Sequence, residues 1–408
     1  METSQSPSFA TKKFSLNFVI SNGGGGHIAT YNALQAIIEQ QQLPWQLSLT
    51  KVEELAARLA KQKKTLDIYR LLGTTSDEVI NKAQKNEWKL LQRLTMPFNK
   101  LLIKLNYEVG VKMLEEDWRE KQPDLVVSLI PLFNKGLWDS LQRAKPGTPV
   151  VTIFTDFADC PPAFWIEPET GNYLVCGTEI AVEQARRLGV KEELIVKSSG
   201  MVIHPRFYEP IKWNRADERQ HLGLDPDCLT GLVLFGGCGS NVMLEIAKRL
   251  ECFQDKLQLI FICGRNEDLA SALITNKGIQ KRFVTTFTQE IPYYMHLADF
   301  FIGKPGPGSI SEALVMKLPV IVESNSSTLP QEQYNADWIR QKEVGLTIRS
   351  FRHIHKAVEQ FLDPETFARY QSNVATVNNR AVFEIPEILQ QILARSSQLT
   401  GGQLLEQG

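Results

Sequence analysis

Little in this sequence is extreme, and what is missing narrows the function first. An excess of charge is missing: over 408 residues the formal net charge is -1. No global field therefore draws the chain to nucleic acid or to a membrane, and any such attraction must be local. Paired cysteines are missing too. Cys160, Cys176, Cys228, Cys238, Cys252 and Cys263 are scattered with no CxxC spacing. That argues against a disulfide framework and against a zinc site, and it fits a reducing compartment. No apolar run is long enough to span a bilayer. Met1 to Lys13 is polar with no apolar h-region, so it does not read as a signal peptide. There is no sequence repeat. The literal D-x-D, Asp225-Pro226-Asp227, follows His221-Leu222-Gly223-Leu224 and reads as a turn and not as a metal site. What is there is a globular composition, 43% hydrophobic and 22% charged, in a chain long enough for two domains.

The chain alternates strand-like apolar runs with helical periods, an α/β pattern. Phe14 to Ile20 reads as a strand, Ser21-Asn22-Gly23-Gly24-Gly25-Gly26-His27 as a glycine turn, and Ile28 to about Gln40 as a helix. Strand, glycine turn and helix open a doubly wound domain, where ligands gather at the carboxyl ends of strands. His27 there reads either as a helix-start histidine with a local hydrogen bond or as a base, suited by an ordinary pKa of about 6.5. Residues 51–122 are mostly helical in pattern. Within them, 81–105 holds Lys82, Lys85, Lys89, Arg93, Lys100 and Lys104 against one acid, Glu87, interleaved with Trp88, Met96 and Phe98. Such a stretch suits a membrane interface or, as is commoner, a solvated helix face. Asp124–Leu129, Pro149–Phe154, Asn172–Cys176 and Leu194–Ser198 read as further strands. Asp156, just past the second of these, either orients His27 or meets an acceptor, or simply caps a turn.

After Gly200 to Pro210, which reads as a linker, the pattern repeats. Gly231–Phe235 is a strand before Gly236-Gly237-Cys238-Gly239-Ser240, Leu257–Cys263 ends at Gly264-Arg265-Asn266, and Phe283–Phe287 precedes Thr288 to Pro292. The stretch around which the chain is organised is Gly303-Lys304-Pro305-Gly306-Pro307-Gly308-Ser309-Ile310-Ser311-Glu312, between the strand Ala298–Ile302 and a helix. Ser309 reads as an N-cap with Glu312 three residues on. That is the signature of a capping box. It equally describes an anion site at a helix start with a carboxylate beside it for ribose hydroxyls. Lys304 reads as a charge near that anion or as a surface lysine. Leu318–Val322 is a strand, and Leu329 to Ala336 leads into a helix.

Taken together, Gly23 to His27, Thr155-Asp156, Gly200 to Pro205, Cys263 to Asn266, Gly303 to Leu314 and Gln331-Glu332 with Asn335 resemble glycosyltransferase family 28. The likeness is strongest to its diacylglycerol branch, the monogalactosyldiacylglycerol synthases and bacterial processive diacylglycerol glucosyltransferases. A more distant relative is the N-acetylglucosaminyltransferase that makes lipid II. The likeness runs in order over most of residues 14–345. It implies a GT-B fold of two Rossmann-like domains facing a cleft: 1–205 on the acceptor side, 206–375 binding the nucleotide sugar, and 376–408 as a C-terminal helix and polar tail.

The resemblance also implies a UDP-sugar donor, inversion at the anomeric carbon and no cofactor or metal. By motif, His27 is the base or acceptor-positioning residue and Asp156 the acceptor-side aspartate. Gly237, Gly239 and Ser240 line the diphosphate, Arg265 and Asn266 form a donor-side loop, and Phe287 to Ile291 bracket the uracil. Gly308 and Ser309 hold phosphate, Glu312 the ribose, and Gln331 and Glu332 the transferred sugar. The implied partners are a UDP-sugar and a lipid acceptor at an anionic membrane surface, with no nucleic acid. Trp88, Lys89, Arg93, Met96 and Phe98 would be the membrane contact of a cytoplasmic protein on the inner face of that membrane. Two departures stand out. The turn opens Ser-Asn-Gly where plant-like members have Ser-Asp-Thr, and Pro161 stands where the branch often has an acceptor-side histidine. A polyprenyl or soluble acceptor, a UDP-sugar 2-epimerase and a non-catalytic sugar-nucleotide-binding protein are the alternatives. The sugar and the oligomeric state stay open.

Overall fold

Parallel strands covered on both faces need apolar side chains at nearly every position, and Leu125-Val126-Val127 or Leu257 to Ile262 meets that need with no exposed residue. In a computed structural model, which describes residues 13–21, 25–62, 106–276, 278–326 and 328–405, such runs build two parallel six-stranded sheets. The first sheet forms from β1 (Phe14–Ile20), α1 (Gly25–Gln40), β2 (Trp45–Lys51), α2 (Val52–Gln62), α3 (Tyr107–Lys121), β3 (Leu125–Ser128), α4 (Asn134–Ala144), β4 (Val150–Ile153), β5 (Tyr173–Cys176), α5 (Glu179–Arg187) and β6 (Ile195–Lys197). Its strand order is β2-β1-β3-β4-β5-β6.

The second sheet is preceded by α6 (Arg215–His221). It comprises β7 (Leu229–Leu234), α7 (Val242–Leu250), β8 (Leu257–Ile262), α8 (Glu267–Thr275), β9 (Arg282–Thr285), α9 (Ile291–Leu297), β10 (Phe300–Gly303), α10 (Pro307–Val315), β11 (Val320–Glu323), α11 (Pro330–Lys342) and β12 (Gly345–Ile348). The helices α12 (Ile354–Phe361), α13 (Pro364–Ala375) and α14 (Ala381–Leu405) follow. The strand order is β12-β11-β10-β7-β8-β9. In each sheet the winding reverses beside the first strand, between β1 and β3 and between β7 and β10. These switch points are where an open α/β sheet leaves a crevice at the carboxyl ends of its strands. The glycine turn before His27 leaves β1, Gly236 to Ser240 leaves β7, and Gly303 to Gly308 leaves β10.

Alternate residues of a strand point to opposite faces. Leu16 and Phe18 of β1 join Leu34 and Ile37 of α1 on one face, while Val19 meets Trp118 of α3 and Leu137 of α4 on the other. The first face is completed from the far end of the chain. Ala381, Val382, Ile385, Leu389, Ile392 and Leu393 of α14 pack into the same cluster as Leu16 and Phe18. The chain therefore crosses between the two sheets twice, near 198–204 and 376–380, and the crossings are bonded side by side. Asn379 Nδ2 donates to the Met201 carbonyl at 2.8 Å, and the Arg380 amide donates to Ser199 Oγ at 2.7 Å. The sheets also touch across the cleft. Cys160 Sγ donates to the Pro330 carbonyl at 3.1 Å, and Phe157 meets Trp338 edge-on at 4.9 Å.

Two strands, β2 and β12, were not legible in the sequence pattern, and both are edge strands. Only one neighbour and part of each face are covered, so Trp45 to Lys51 alternates instead of running apolar, and Gly345 to Ile348 is short. The helix expected from Ser309 starts earlier. Gly306 is its N-cap, Pro307 is the first helical residue, and Ser309 Oγ donates to the Gly306 carbonyl at 3.2 Å. Proline without an amide hydrogen suits the first helical position, where no partner exists for one. The Ser309–Glu312 capping box is therefore absent. Because α14 covers the first sheet, Leu389→Ala, at a side chain with no exposure, should destabilise that domain by about 2–5 kcal/mol. Urea unfolding should report it as a lower midpoint.

Candidate active site

On the first domain, β1 delivers Ser21 to the crevice and α1 begins with Gly25, which places His27 in its first turn. The imidazole is half-buried, and its Nδ1 has no hydrogen-bond partner among the described residues. Burial holds the ring below its ordinary pKa, against the Ser21 backbone and the Glu53 carboxylate, which both raise it. The ring is therefore uncharged at neutral pH, the form that can take a proton. Facing it edge-on, with centroids 6.5 Å apart, is Trp165.

Trp165 ends the loop after β4, and the carboxylate of Asp159 folds that loop. Asp159 is buried and accepts the amides of Ala163 at 2.9 Å, Phe164 at 2.8 Å and Trp165 at 2.6 Å. Three amides converging on one carboxylate hold the segment as a rigid hairpin of backbone. The indole stacks on Phe154 at 5.2 Å and donates its N–H to Asp156 Oδ2 at 3.0 Å. Burial pushes the Asp156 carboxyl up to about 7, opposed by the Trp165 N–H and helped by the negative charge of Glu332 from the other domain. What joins Asp156 to His27 in this structure is thus Trp165, whose ring touches both.

On the second domain the loops after β7 and β8 pack backbone to backbone. Gly239 has φ +62° and lies so close to Cys263 that a Cβ there would sit 2.3 Å from the Cys263 carbonyl oxygen. Gly264, at φ +60°, is as tight against the Gly237 carbonyl. The Arg265 amide donates to that carbonyl at 2.8 Å. Only glycine fits both positions. The next loop, after β10, lies against the same surface. Lys304 Cε is within 3.9 Å of where a Gly236 side chain would begin, and Gly306 faces both Lys304 Cε at 3.8 Å and Glu332 Oε1 at 3.9 Å. The amides of Gly308 and Ser309, in the first turn of α10, have no carbonyl earlier in that helix to bond, and the helix dipole favours an anion there.

Glu312 lies one turn further. Burial pushes its carboxyl up to about 7, against the pull of the Arg206 guanidinium. Arg206 is held by its Nε to His204 Nδ1 at 3.0 Å and by Nη1 to the Gln289 carbonyl at 2.9 Å. Arg265 lies over the half-exposed ring of Phe287 at 4.8 Å. Gln331 and Glu332 occupy the first turn of α11, which Asn335 ties to the Pro305 carbonyl at 2.8 Å.

The structure thus brings Gly237, Gly239 and Ser240 after β7 and Gly308, Ser309 and Glu312 after β10 to one switch point, with the α11 start that carries Gln331 and Glu332 beside it, while His27 follows β1 at the other and Asp156 follows β4. Ile291 starts α9 and packs on the core. Asn266 carries a structural task, since its Oδ1 caps α8 by accepting the Leu269 amide at 3.0 Å. Ser240 Oγ likewise accepts the Val242 amide at 3.4 Å, next to the start of α7. Asp225 Oδ1 accepts the Asp227 amide at 3.0 Å, the local bond of a turn. Trp88, Lys89, Arg93, Met96 and Phe98, with Gly23 and Gly24, lie outside the described residues. Sequence reasoning passed over Trp165, Glu53 and Arg206. The aromatic end of the loop after Asp156 was a signal for the first, but nothing local marked the other two.

Comparison with known proteins finds similarity in both domains. Residues 232–392 match the glycosyltransferase family 28 C-terminal domain, and residues 48–203 match monogalactosyldiacylglycerol synthase. Monogalactosyldiacylglycerol synthase 2, chloroplastic, of Arabidopsis thaliana is 30% identical over 264 residues, 62% of this chain and 55% of that protein. The processive diacylglycerol beta-glucosyltransferase of Bacillus subtilis (strain 168) is 26% identical over 313 residues, 75% of this chain and 78% of that one. The chain spans little more than half the length of the first plant relatives it matches, 55% and 54%. In fold, it superposes on the crystal structure of Acinetobacter baumannii MurG with a TM-score of 0.57 and 13% identity, over 92% of this chain and 99% of that one. The fold is GT-B, and through both of its domains the chain is related to glycosyltransferase family 28, alongside the monogalactosyldiacylglycerol synthases and diacylglycerol glucosyltransferases.

Proposed function

We propose that the protein is an inverting glycosyltransferase that moves a hexose from a UDP-sugar to a diacylglycerol-type lipid. The observation that carries this reading is the approach of the two domains' loops across the cleft. The Glu332 carboxylate, in the first turn of α11, is close enough to act on Asp156 across the cleft, and Asp156 is joined to His27 by Trp165. A donor sugar held at Gln331 and Glu332 would then present its anomeric carbon towards His27. The family relationship supports the lipid acceptor, since the named relatives act on diacylglycerol.

In the proposed reaction the acceptor hydroxyl oxygen attacks the anomeric carbon, and the hydroxyl proton passes to the uncharged His27 ring. The bond from the anomeric carbon to the UDP oxygen breaks, and its electron pair leaves with UDP. The growing charge on the diphosphate is met by the first-turn amides of α10, by the Gly236–Ser240 backbone and by Lys304, so no cofactor or metal enters the proposal. Glu312, as a carboxylate, accepts the ribose hydroxyls. At the membrane, the basic and aromatic residues of 81–105 hold the protein to an anionic surface on its cytoplasmic side. No helix among the described residues is long and apolar enough to cross that membrane.

The test is UDP release with UDP-galactose, UDP-glucose or UDP-N-acetylglucosamine, with and without diacylglycerol micelles. Lipid-dependent release with one sugar names the donor, and release that ignores the lipid discards the acceptor. His27→Ala should lower kcat by about 10²–10⁴-fold, the usual contribution of a general base, with the UDP dissociation constant unchanged. Glu312 adds a pH dependence with a definite sign. Its carboxyl is pushed up to about 7, so it loses its charge as pH falls through neutrality. UDP affinity should drop by about tenfold between about pH 8 and pH 6, as read by calorimetry. In Glu312→Gln the affinity should be low throughout, and any slope that persists belongs to the UDP phosphate. Vesicle flotation tests the surface: the protein should float with anionic and not with neutral vesicles at low salt, and sediment as salt rises.

A further inference from the structure

The acid nearest in charge to His27 comes from neither of the loops that the family motifs pick out. β1 and β2 pair in parallel with Ile20 opposite Lys51, so the two strands end level at the crevice. Ser21 follows one strand and α2 follows the other, and Glu53 is the second residue of α2. Ser21 Oγ donates to Glu53 Oε1 at 2.6 Å, a short charge-assisted bond. It ties α2 to the very segment that turns into the His27 loop.

The helix that carries Glu53 is fixed in place from below. Val52 and Leu55 pack onto the cluster around Trp118. Arg58 Nη1 bonds Asp117 at 2.9 Å, and Lys121 Nζ bonds both Asp117 at 2.7 Å and Thr50 at 2.7 Å. Glu54, the neighbouring acid, turns outwards to Lys51 at 3.7 Å. Among the described residues, the charged and titratable groups facing His27 are Glu53 from α2 and, behind Trp165, Asp156 from the loop after β4. Asp156 is occupied by the indole N–H.

We propose that Glu53, anchored by Ser21, is a positioning residue for His27. It fixes, through Ser21, the end of β1 that leads to His27, and it stabilises the positive charge the ring gains on taking the acceptor's proton. This rests on the reading of His27 as the base. The arrangement sets a carboxyl on a rigid element beside the His27 loop, as a base needs if it is to bind a proton in a half-buried site. The direction of the Glu53 effect on the ring, upwards against burial, agrees with it.

The test follows the His27 imidazole by NMR titration in the full chain without substrates, alongside turnover. In Glu53→Gln the ring's pKa should fall, and kcat should fall by about tenfold, less than the ~10²–10⁴-fold for losing the base itself. KM for the UDP-sugar should hold. Glu53→Asp should recover part of both, and Glu54→Gln should change neither. Ser21→Ala, which removes its bond to the carboxylate while leaving the helix intact, should move the ring the same way by less, and stands in if Glu53→Gln fails to fold. A His27 pKa that does not move in a folded Glu53→Gln or Ser21→Ala protein overturns the proposal. Turnover that survives His27→Ala overturns instead the reading of His27 as base, and the titration distinguishes the two failures.

Discussion

Everything in the cleft depends on two lengths of chain being bonded side by side where they pass between the sheets. Asn379 on the return passage donates to Met201 on the outward one, Arg380 to Ser199, and Ser199 in turn to Glu384 at the start of α14. Gly200 is there because nothing larger fits. A Cβ would sit 2.6 Å from the Asn379 side chain. A double strap of this kind limits the ways one sheet can move against the other, so that Asp156 and Glu332 keep the same opposite partner. With a single passage the switch points of the two sheets would have no fixed relation, and the distances that suit a transfer reaction would be lost.

The cleft so held is rich in acids whose environment works against their charge. Asp156 and Glu312 are both pushed up to about 7 by burial. A carboxyl whose folded pKa lies above its unfolded one supports the fold below the unfolded pKa and withdraws that support as pH rises towards the folded one. Between about pH 4 and pH 7 these two groups therefore make the empty protein progressively less stable. The helix starts and Lys304 on the donor side are the opposite case, with unmet positive potential. Under the proposed function, a diphosphate with a sugar attached would answer both, bringing negative charge to the amides and hydroxyls to the acids.

Much of the fold was legible because parallel sheets write themselves as apolar runs separated by glycine turns. β1 was readable to the residue, and the turns after β1, β7 and β10 were readable as glycine loops at the carboxyl ends of strands. Two of the four edge strands, β6 and β9, were legible as well, but β2, which alternates polar and apolar residues, and β12, which is short and opens on glycine, were not. At the site, the residues within one loop could be read, and the relations between loops could not. His27 and Asp156 were each visible, but their link through Trp165 depends on how Asp159 folds its loop. Asp159 looks like any other acid in a turn. Glu53 looked like one more surface acid in a helical stretch, because what distinguishes it is the level ending of β1 and β2. Ser309 misled for a local reason: it is a better cap in general than Gly306, but Pro307 fixes the helix start ahead of it.

The place of α14 has a consequence for how the molecule comes into being. The first sheet is laid down early in synthesis, but the helix that covers Leu16 and Phe18 comes from the last part of the described chain. Translation proceeds at about 5–20 residues per second, and a domain ordinarily closes as soon as its sequence has emerged. Here the first domain waits with one apolar face open while the whole second domain is made, and only then receives its cover. The second sheet, whose elements are contiguous, can close first. A nascent chain arrested before residue 381 would thus hold a finished second domain beside an unfinished first one, which makes that interval the one in which the protein most needs a chaperone.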